Sequence, residues 1–292
     1  MSKNILYISN PISGSMADRS RIETKLEDSA GKSAFKKYET KGKKDIDEIK
    51  QIIKTFEPES IWIGGGDGTI RMVVQAMDET DIPIGIIPFG SANGLAKCLH
   101  IDDLEDSYAA IKSGKTQKLD VLKINNEVCL HLSDFGFNAG LIRKFEEENE
   151  RGMMSYFKSS LRQFQEMRPY TFHVKINGED FKTEAKMLII ANGDMYGTGA
   201  IINPAGKIDD GTMEIIALNP DGFDEMAEIS LALFRGNLDE SESVRIWSGK
   251  EAIITNPDNA DFQIDGEIMP ETEKIEVICE ANKYRFFSLR KN

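Results

Sequence analysis

Ser60-Ile61-Trp62-Ile63-Gly64-Gly65-Gly66-Asp67-Gly68-Thr69-Ile70 runs from a short apolar strand, through glycines that carry one acid, into a helix-like stretch over Thr69 to Met77. That is the opening of a βα unit, and its neighbours repeat the pattern. Ile5 to Ser9 precedes the helix-like Arg19 to Asp28, Phe35 to Thr40 precedes Lys44 to Phe56, and Ile84 to Ile87 follows. Such alternation predicts a parallel sheet wrapped by helices. Within Lys44 to Phe56, the residues Ile46, Ile49, Ile52, Ile53 and Phe56 form one stripe, with Asp47, Glu48, Lys50 and Lys54 opposite, as expected of a helix packed on a sheet.

After about Leu119 the texture changes to period-2 segments separated by turn residues. Val121 to Ile124 and Val128 to Leu132 flank Asn125-Asn126, and Thr171 to Ile176 and Phe181 to Ala185 flank Asn177-Gly178, with Lys186 to Ala191 following. This predicts an antiparallel β domain, interrupted by helices over Ala139 to Glu150 with Ser155 to Glu166, and over Glu225 to Arg235. The expected division is an α/β domain at 1–119, to which the tail 283–292 returns, and a β domain at 120–282.

At 292 residues the chain is long enough for two cores, and 36 Lys+Arg against 49 Asp+Glu leave a net charge of −13. That excess argues against a nucleic-acid partner, which needs a basic face. Apolar runs such as Met187 to Ala191 are strand-sized, far short of a membrane span, and Ile5 to Ile8 is too brief for a signal peptide, so the expected compartment is the cytoplasm. Cys98, Cys129 and Cys279 are odd in number and widely spaced, and read as buried thiols.

Three of the strands end in loops: Asn10-Pro11-Ile12-Ser13-Gly14, Gly64 to Thr69, and Pro88-Phe89-Gly90-Ser91-Ala92-Asn93-Gly94. The carboxyl edge of an open α/β sheet is where ligands bind, glycines admit close main-chain approach, and a following helix offers its N-terminus to anions. A nucleotide phosphate site is therefore expected. Gly64-x-Gly66-x-x-Thr69 only approximates the dinucleotide fingerprint, and no acid ends the next strand. Asp134-Phe135-Gly136 resembles one protein-kinase motif but lacks the others, and is set aside. Asp67 suits phosphoryl transfer, in which a carboxylate holds Mg²⁺ at the phosphates. Asp265-Gly266-Glu267 offers partner acids on one face of an extended segment, or else a plain Asp-Gly hairpin turn.

Asn10-Pro11 with Ser13-Gly14, Gly65-Gly66-Asp67-Gly68-Thr69, Pro88-x-Gly90-Ser91-x-Asn93, Lys207-Ile208-Asp209-Asp210-Gly211 and Asp265-Gly266-Glu267 occur in the order found in the diacylglycerol kinase catalytic-domain family, which the chain resembles over nearly its whole length. That family includes soluble bacterial diacylglycerol kinases and sphingosine and ceramide kinases. The resemblance implies a Rossmann-like ATP-binding domain followed by an antiparallel β-sandwich, with the active site in the cleft between them. It implies Asp265 as general base toward the lipid hydroxyl, Asp67 and Glu267 organising Mg²⁺ and phosphates, and Asn10, Gly65, Gly66, Gly68, Thr69, Gly90, Ser91 and Asn93 around ATP. Lys207, Asp210 and Thr212 would hold a structural Mg²⁺, with an Asp-Gly hairpin as the alternative.

Two departures bear on substrate. Gly94 stands where many bacterial diacylglycerol kinases have an acid, and Gly140 follows Gly136-Phe137-Asn138-Ala139, where sphingosine kinases carry an Asp for the substrate ammonium. The expected acceptor is thus a neutral lipid alcohol, diacylglycerol, taken from the membrane surface, with a sphingoid or ceramide-type lipid as the alternative. Met153 to Phe164, with Lys158 and Arg162, reads as an amphipathic core helix or else a membrane-touching lid. Net negative charge makes any peripheral contact with the inner membrane face transient. An NAD kinase, with Asn126-Glu127 resembling a motif of that family, and a catalytically silent nucleotide-binding regulator are competing readings, and a homodimer is left open.

Overall fold

Ile5, Leu6, Tyr7, Ile8 and Ser9 are all buried, as are Ile61 to Gly65 and Ile84 to Ile87, because these strands are covered on both faces as the strands of a parallel sheet must be. The computed structural model describes residues 4–14, 16–30, 34–78, 80–90, 92–136, 167–196, 200–203 and 206–290. The chain forms two units, Met1–Asp120 with Asn282–Asn292, and Val121–Ala281.

In the first unit β1 (Ile5–Ser9), α1 (Met16–Ala30), β2 (Phe35–Glu39), α2 (Asp45–Phe56), β3 (Ser60–Gly65), α3 (Asp67–Ala76), β4 (Ile84–Pro88), α4 (Gly94–Cys98) and α5 (Leu104–Ser113) follow one another. The sheet order is β2-β1-β3-β4, every pair parallel, and Phe286 near the chain end pairs in parallel with Ile84. On α2 the expected stripe is only partly inward: Ile49 and Ile53 are buried, whereas Ile46 in the first turn is exposed. α2 starts where the Asp45 carboxylate accepts the main-chain N–H groups of Lys41 and Gly42 and the Tyr38 hydroxyl, at 2.9, 2.7 and 2.7 Å. α5 is capped by Asp103, which accepts from the Glu105 and Asp106 N–H groups, and ends on Gly114 at φ +68°.

β5 (Thr116–Ile124) leads into the second unit, which contains β6 (Glu127–Cys129), β7 (Leu132–Gly136), β8 (Tyr170–Ile176), β9 (Glu179–Ala185), β10 (Met187–Ala191), β11 (Met195–Tyr196), β12 (Ala200–Ile201), β13 (Met213–Leu218), α6 (Gly222–Arg235), β14 (Val244–Gly249), β15 (Glu251–Thr255), β16 (Phe262–Ile264), β17 (Glu267–Ile268) and the start of β18 (Lys274–Phe287), whose residues from Asn282 on belong to the first unit. An antiparallel sheet ordered β14-β13-β10-β7-β16-β17 packs against β9-β8-β15-β18 in a β-sandwich. Phe135, Leu188, Ile190, Ile215 and Phe262 from one sheet share the core with Phe172, Val174, Ile254 and Val277 from the other. The opposite face of the first sheet packs Ile189 and Ile216 against Ile229 and Ala232 of α6. β10 is therefore buried on both faces, which is why its sequence is an unbroken apolar run.

Asn177 and Gly178 form the expected two-residue turn, both at positive φ, with Ile176 opposite Glu179. Val128 to Leu132 is not one strand: pairing stops at Cys129 and resumes at Leu132. The intervening N–H groups are diverted to a side chain described below. The stretches expected to be helical at Ala139 to Glu150 and Ser155 to Glu166, with Gly140 and the Met153 to Phe164 segment, lie outside the described residues. Cys98, Cys129 and Cys279 are buried thiols. Among the described residues no helix is long and apolar enough to cross a membrane.

Candidate active site

Because β1, β3 and β4 are adjacent and parallel, the three loops at their carboxyl ends meet at one edge of the first unit. The Asn10 N–H donates to Gly64 O at 2.8 Å, and the Phe89 N–H to Gly65 O at 3.1 Å. The Asn10 amide reaches Thr69 Oγ1 at 3.4 Å while its Oδ1 accepts the Ile12 N–H. Gly66 and Gly90 touch main chain to main chain: a Cβ on Gly90 would lie 2.6 Å from Gly66 Cα. The sequence reading gave these glycines to phosphate approach; their first requirement in the structure is this loop-on-loop contact.

α3 begins two residues earlier than expected, so Asp67 and Gly68 belong to its first turn, with Gly66 as N-cap. Asp67 turns back to the third loop, accepting the Gly94 N–H at 2.9 Å and the Leu95 N–H at 3.1 Å. It thus caps α4, whose own N-cap, Asn93, sits at φ +52° and makes no cap bond. Asn93 instead closes its loop, accepting the Gly90 N–H at 2.8 Å and donating to Gly90 O at 2.7 Å. Ser91 lies outside the described residues. The side chains of Asn10, Asp67, Thr69 and Asn93 are spent in part on one another and on the loops; with the Gly94 and Leu95 N–H groups given to Asp67 and those of Thr69 and Ile70 given to Gly66 O, an anion here would meet mainly the Asp67 and Gly68 N–H groups that open α3. Arg19, which sequence reasoning missed, braces this edge by donating from Nη1 to the carbonyls of Asn10 and Pro11. A cation in a helix's first turn opposes the helix dipole, and that was its one legible signal.

In the second unit, Asp265 and Gly266 are the central residues of a two-residue hairpin, at φ +49° and +86°, with Ile264 paired to Glu267. Of the two readings the sequence left open, the segment takes the Asp-Gly turn and not the extended one, and the acids do not share a strand face: Asp265 lies in the turn and Glu267 begins the strand after it. Asp265 accepts the N–H groups of Leu130 at 2.9 Å, His131 at 2.9 Å and Leu132 at 3.2 Å, and the Cys129 thiol lies 3.7 Å away. The first two are the amides between β6 and β7 and the third opens β7, so one carboxylate both breaks a strand and is locked in orientation by it. The loop is held in turn by Asn192, whose side chain donates to Leu130 O and whose N–H donates to His131 O. Glu267 is exposed. Asn126 and Glu127 fall at the hairpin between β5 and β6.

Among the described residues no group of three or more His, Cys, Asp or Glu side chains gathers as metal ligands. Asp210 accepts both the N–H and the hydroxyl of Thr212, at 3.0 and 2.7 Å, so its side chain supports the Asp-Gly turn. Nearby in β13, burial pushes the Glu214 carboxyl up, bonds from Ser248 and Asn203 oppose that, and the Asp210 charge adds to it. The Asp210 carboxylate acting on the buried Glu214 carboxyl makes a pair of oxygen donors of the kind a hard cation such as Mg²⁺ takes.

Residues 4–124 match the diacylglycerol kinase catalytic domain, and residues 134–281 match the YegS C-terminal NAD kinase beta sandwich-like domain. The chain is 27% identical over 261 residues to an uncharacterized protein of Synechocystis sp., an alignment covering 83% of this chain and 60% of that protein, so it spans less than two thirds of that relative's length. It is 28% identical over 237 residues to a Staphylococcus carnosus protein named "Putative lipid kinase", covering 78% and 77% of the two chains. A crystal structure titled as that of a putative diacylglycerol kinase from Bacillus anthracis shares the fold, with a TM-score of 0.80 at 20% identity over 98% of this chain and 97% of that one.

Proposed function

The chain belongs to the family that joins a diacylglycerol kinase catalytic domain to a YegS-type, NAD-kinase-like β-sandwich, and from that premise we propose that it is an ATP-dependent lipid kinase that phosphorylates the hydroxyl of diacylglycerol, giving phosphatidic acid. The observation that carries this reading is the Asp265 carboxylate, held in one orientation by three consecutive main-chain N–H groups. A general base must be aimed before its proton arrives, and these donors fix the direction in which the carboxylate faces.

In the proposed reaction the triphosphate lies against the glycine loops of the first unit, where main-chain amides and the brace from Arg19 suit an anion. Asp265 accepts the proton of the lipid hydroxyl as that oxygen attacks the γ-phosphorus, the bond to the bridging oxygen breaks, and ADP leaves. Mg²⁺ bound with the nucleotide supplies charge neutralisation across the phosphates. Asp67 and Glu267 are the carboxylates that would hold it, Asp67 with the lone pairs left after one amide bond on each oxygen. Lys207, Asp210 and Thr212 are assigned to a separate structural Mg²⁺. Gly140, in place of an acid, supports a neutral acceptor over a sphingoid base, whose ammonium would lose a charge-assisted bond worth roughly 1.5–3 kcal/mol. Drawing such a substrate implies peripheral contact with a lipid surface, weakened by the net charge of −13.

The test is transfer of label from ATP with Mg²⁺ to diacylglycerol, ceramide, sphingosine and NAD in parallel, with Asp265→Asn beside the wild type. Label in diacylglycerol, reduced at least about 100-fold in the variant while ATP still binds, is expected. Label in NAD alone would overturn the lipid reading, and label in sphingosine alone would overturn the inference from Gly140.

A further inference from the structure

Asp134, set aside above as an isolated Asp-Phe-Gly match, is 0% exposed in β7, and its ladder partner Gln263 in β16 is 1% exposed. Phe135 and Phe262 pair beside them and point into the sandwich core, so strand alternation puts Asp134 and Gln263 on the other face of the sheet, with Ile189. Gln263 Nε2 donates to Asp134 Oδ2, and Gln263 Oε1 accepts the Gly266 N–H at 2.7 Å. Only this orientation of the amide serves both neighbours, since a carboxylate accepts and a main-chain N–H donates.

Gly266 is the residue after Asp265 in the two-residue turn, so the chain Asp134–Gln263–Gly266 ends on the peptide that follows the proposed base. Burying a carboxylate and an amide costs desolvation that a pair of aliphatic side chains would not incur. What the polar pair adds is a fixed partner for one main-chain N–H. Asp265 is thereby held from two directions: its side chain by the Leu130, His131 and Leu132 amides, and its turn by Gln263.

We propose that Gln263, oriented by Asp134, is a positioning residue that sets the angle at which Asp265 meets the acceptor hydroxyl. The proposal rests on the kinase reading above, and it places a functional demand on a strand residue that touches neither nucleotide nor lipid. A displacement of about 1 Å at a reacting group costs on the order of 100-fold in rate.

The experiment uses the full chain and compares wild type with Gln263→Leu, Gln263→Glu and the double variant Asp134→Asn/Gln263→Glu. It reads kcat and ATP KM for lipid phosphorylation, the thermal midpoint, and hydrogen exchange of the glycine-labelled Gly266 amide. Gln263→Glu sets two carboxylates against each other. In the double variant the pair is exchanged: the amide introduced at position 134 donates to the carboxylate introduced at position 263, whose second oxygen again accepts the Gly266 N–H. Expected are a fall in kcat of roughly 10- to 100-fold in both single variants with ATP KM within about twofold, faster Gly266 exchange, and recovery of both in the double variant. A lowered midpoint with kcat unchanged, or an ATP KM that rises in step with the loss, would overturn the proposal. Exchange that responds as expected while wild type transfers phosphate to no lipid would support the contact and overturn the kinase reading alone.

Discussion

One carboxylate at the glycine loop serves geometry before chemistry. Asp67 was expected to organise metal and phosphates, and in the structure its two oxygens hold the Gly94 and Leu95 amides at the start of a five-residue helix. Such a helix has little stability of its own and depends on its caps. Asp67→Ala should cost about 1–2 kcal/mol of stability and raise the ATP KM, with Asp67→Asn recovering part of the loss, measured by thermal unfolding and initial rates. An unchanged midpoint with activity lost would show that Asp67 acts on metal and phosphate and not on the loop. Residue identity alone pointed to Asp67 and Asp265 as the acids of interest. It did not point to Gln263 or Asn192, because a polar residue within or beside a strand reads as solvent-facing until both faces of the sheet are known to be covered.

At the scale of elements, ends were decided by side chains reaching back to the main chain. The β6–β7 break follows from three amides given to Asp265, and the start of α2 follows from Asp45. Burial, the largest influence on Asp45, pushes its carboxyl up, but the bonds from Lys41, Tyr38 and Gly42 together hold it below the ordinary carboxylate range. A carboxyl depressed in the folded state contributes stability that is present above its unfolded pKa, about 4, and is lost as pH falls through its lower folded value. Wild type should therefore lose stability on acidification below about pH 4, and Asp45→Asn should lose about 1–3 kcal/mol near neutrality and flatten that acid limb, read by denaturant unfolding across pH. An equally steep limb in the variant would assign the acid sensitivity to other carboxyls. Periodicity located α2, but Ile46 shows its limit: a stripe identifies a face, and the first turn of that face remained in solvent.

For the whole molecule, the chain leaves the first unit at Asp120 and comes back at Asn282, so the last residues are structural for a sheet begun at Ile5. Phe286 is fully buried beside Ile84, Tyr284 donates to Asp78 O at 3.1 Å, and Arg285 donates to Asp81 O at 2.6 Å. Phe286→Ala should destabilise the first unit by about 3–5 kcal/mol and speed hydrogen exchange in β3 and β4 peptides, read by mass spectrometry. Unchanged exchange there would mean that the C-terminal segment adds nothing to that sheet. By itself the sequence determined the βα alternation, the antiparallel texture after Leu119, the three loops at one sheet edge and the acids of interest, because periodicity, glycines and charge are local properties. Tertiary structure alone decided that Gly66 and Gly90 touch, that Asp265 lies in a turn fastened by amides more than 130 residues away, and that Asp134 and Gln263 are buried partners. Those contacts join residues distant in the chain, and which groups are left to satisfy one another is settled only when the sheets close over them.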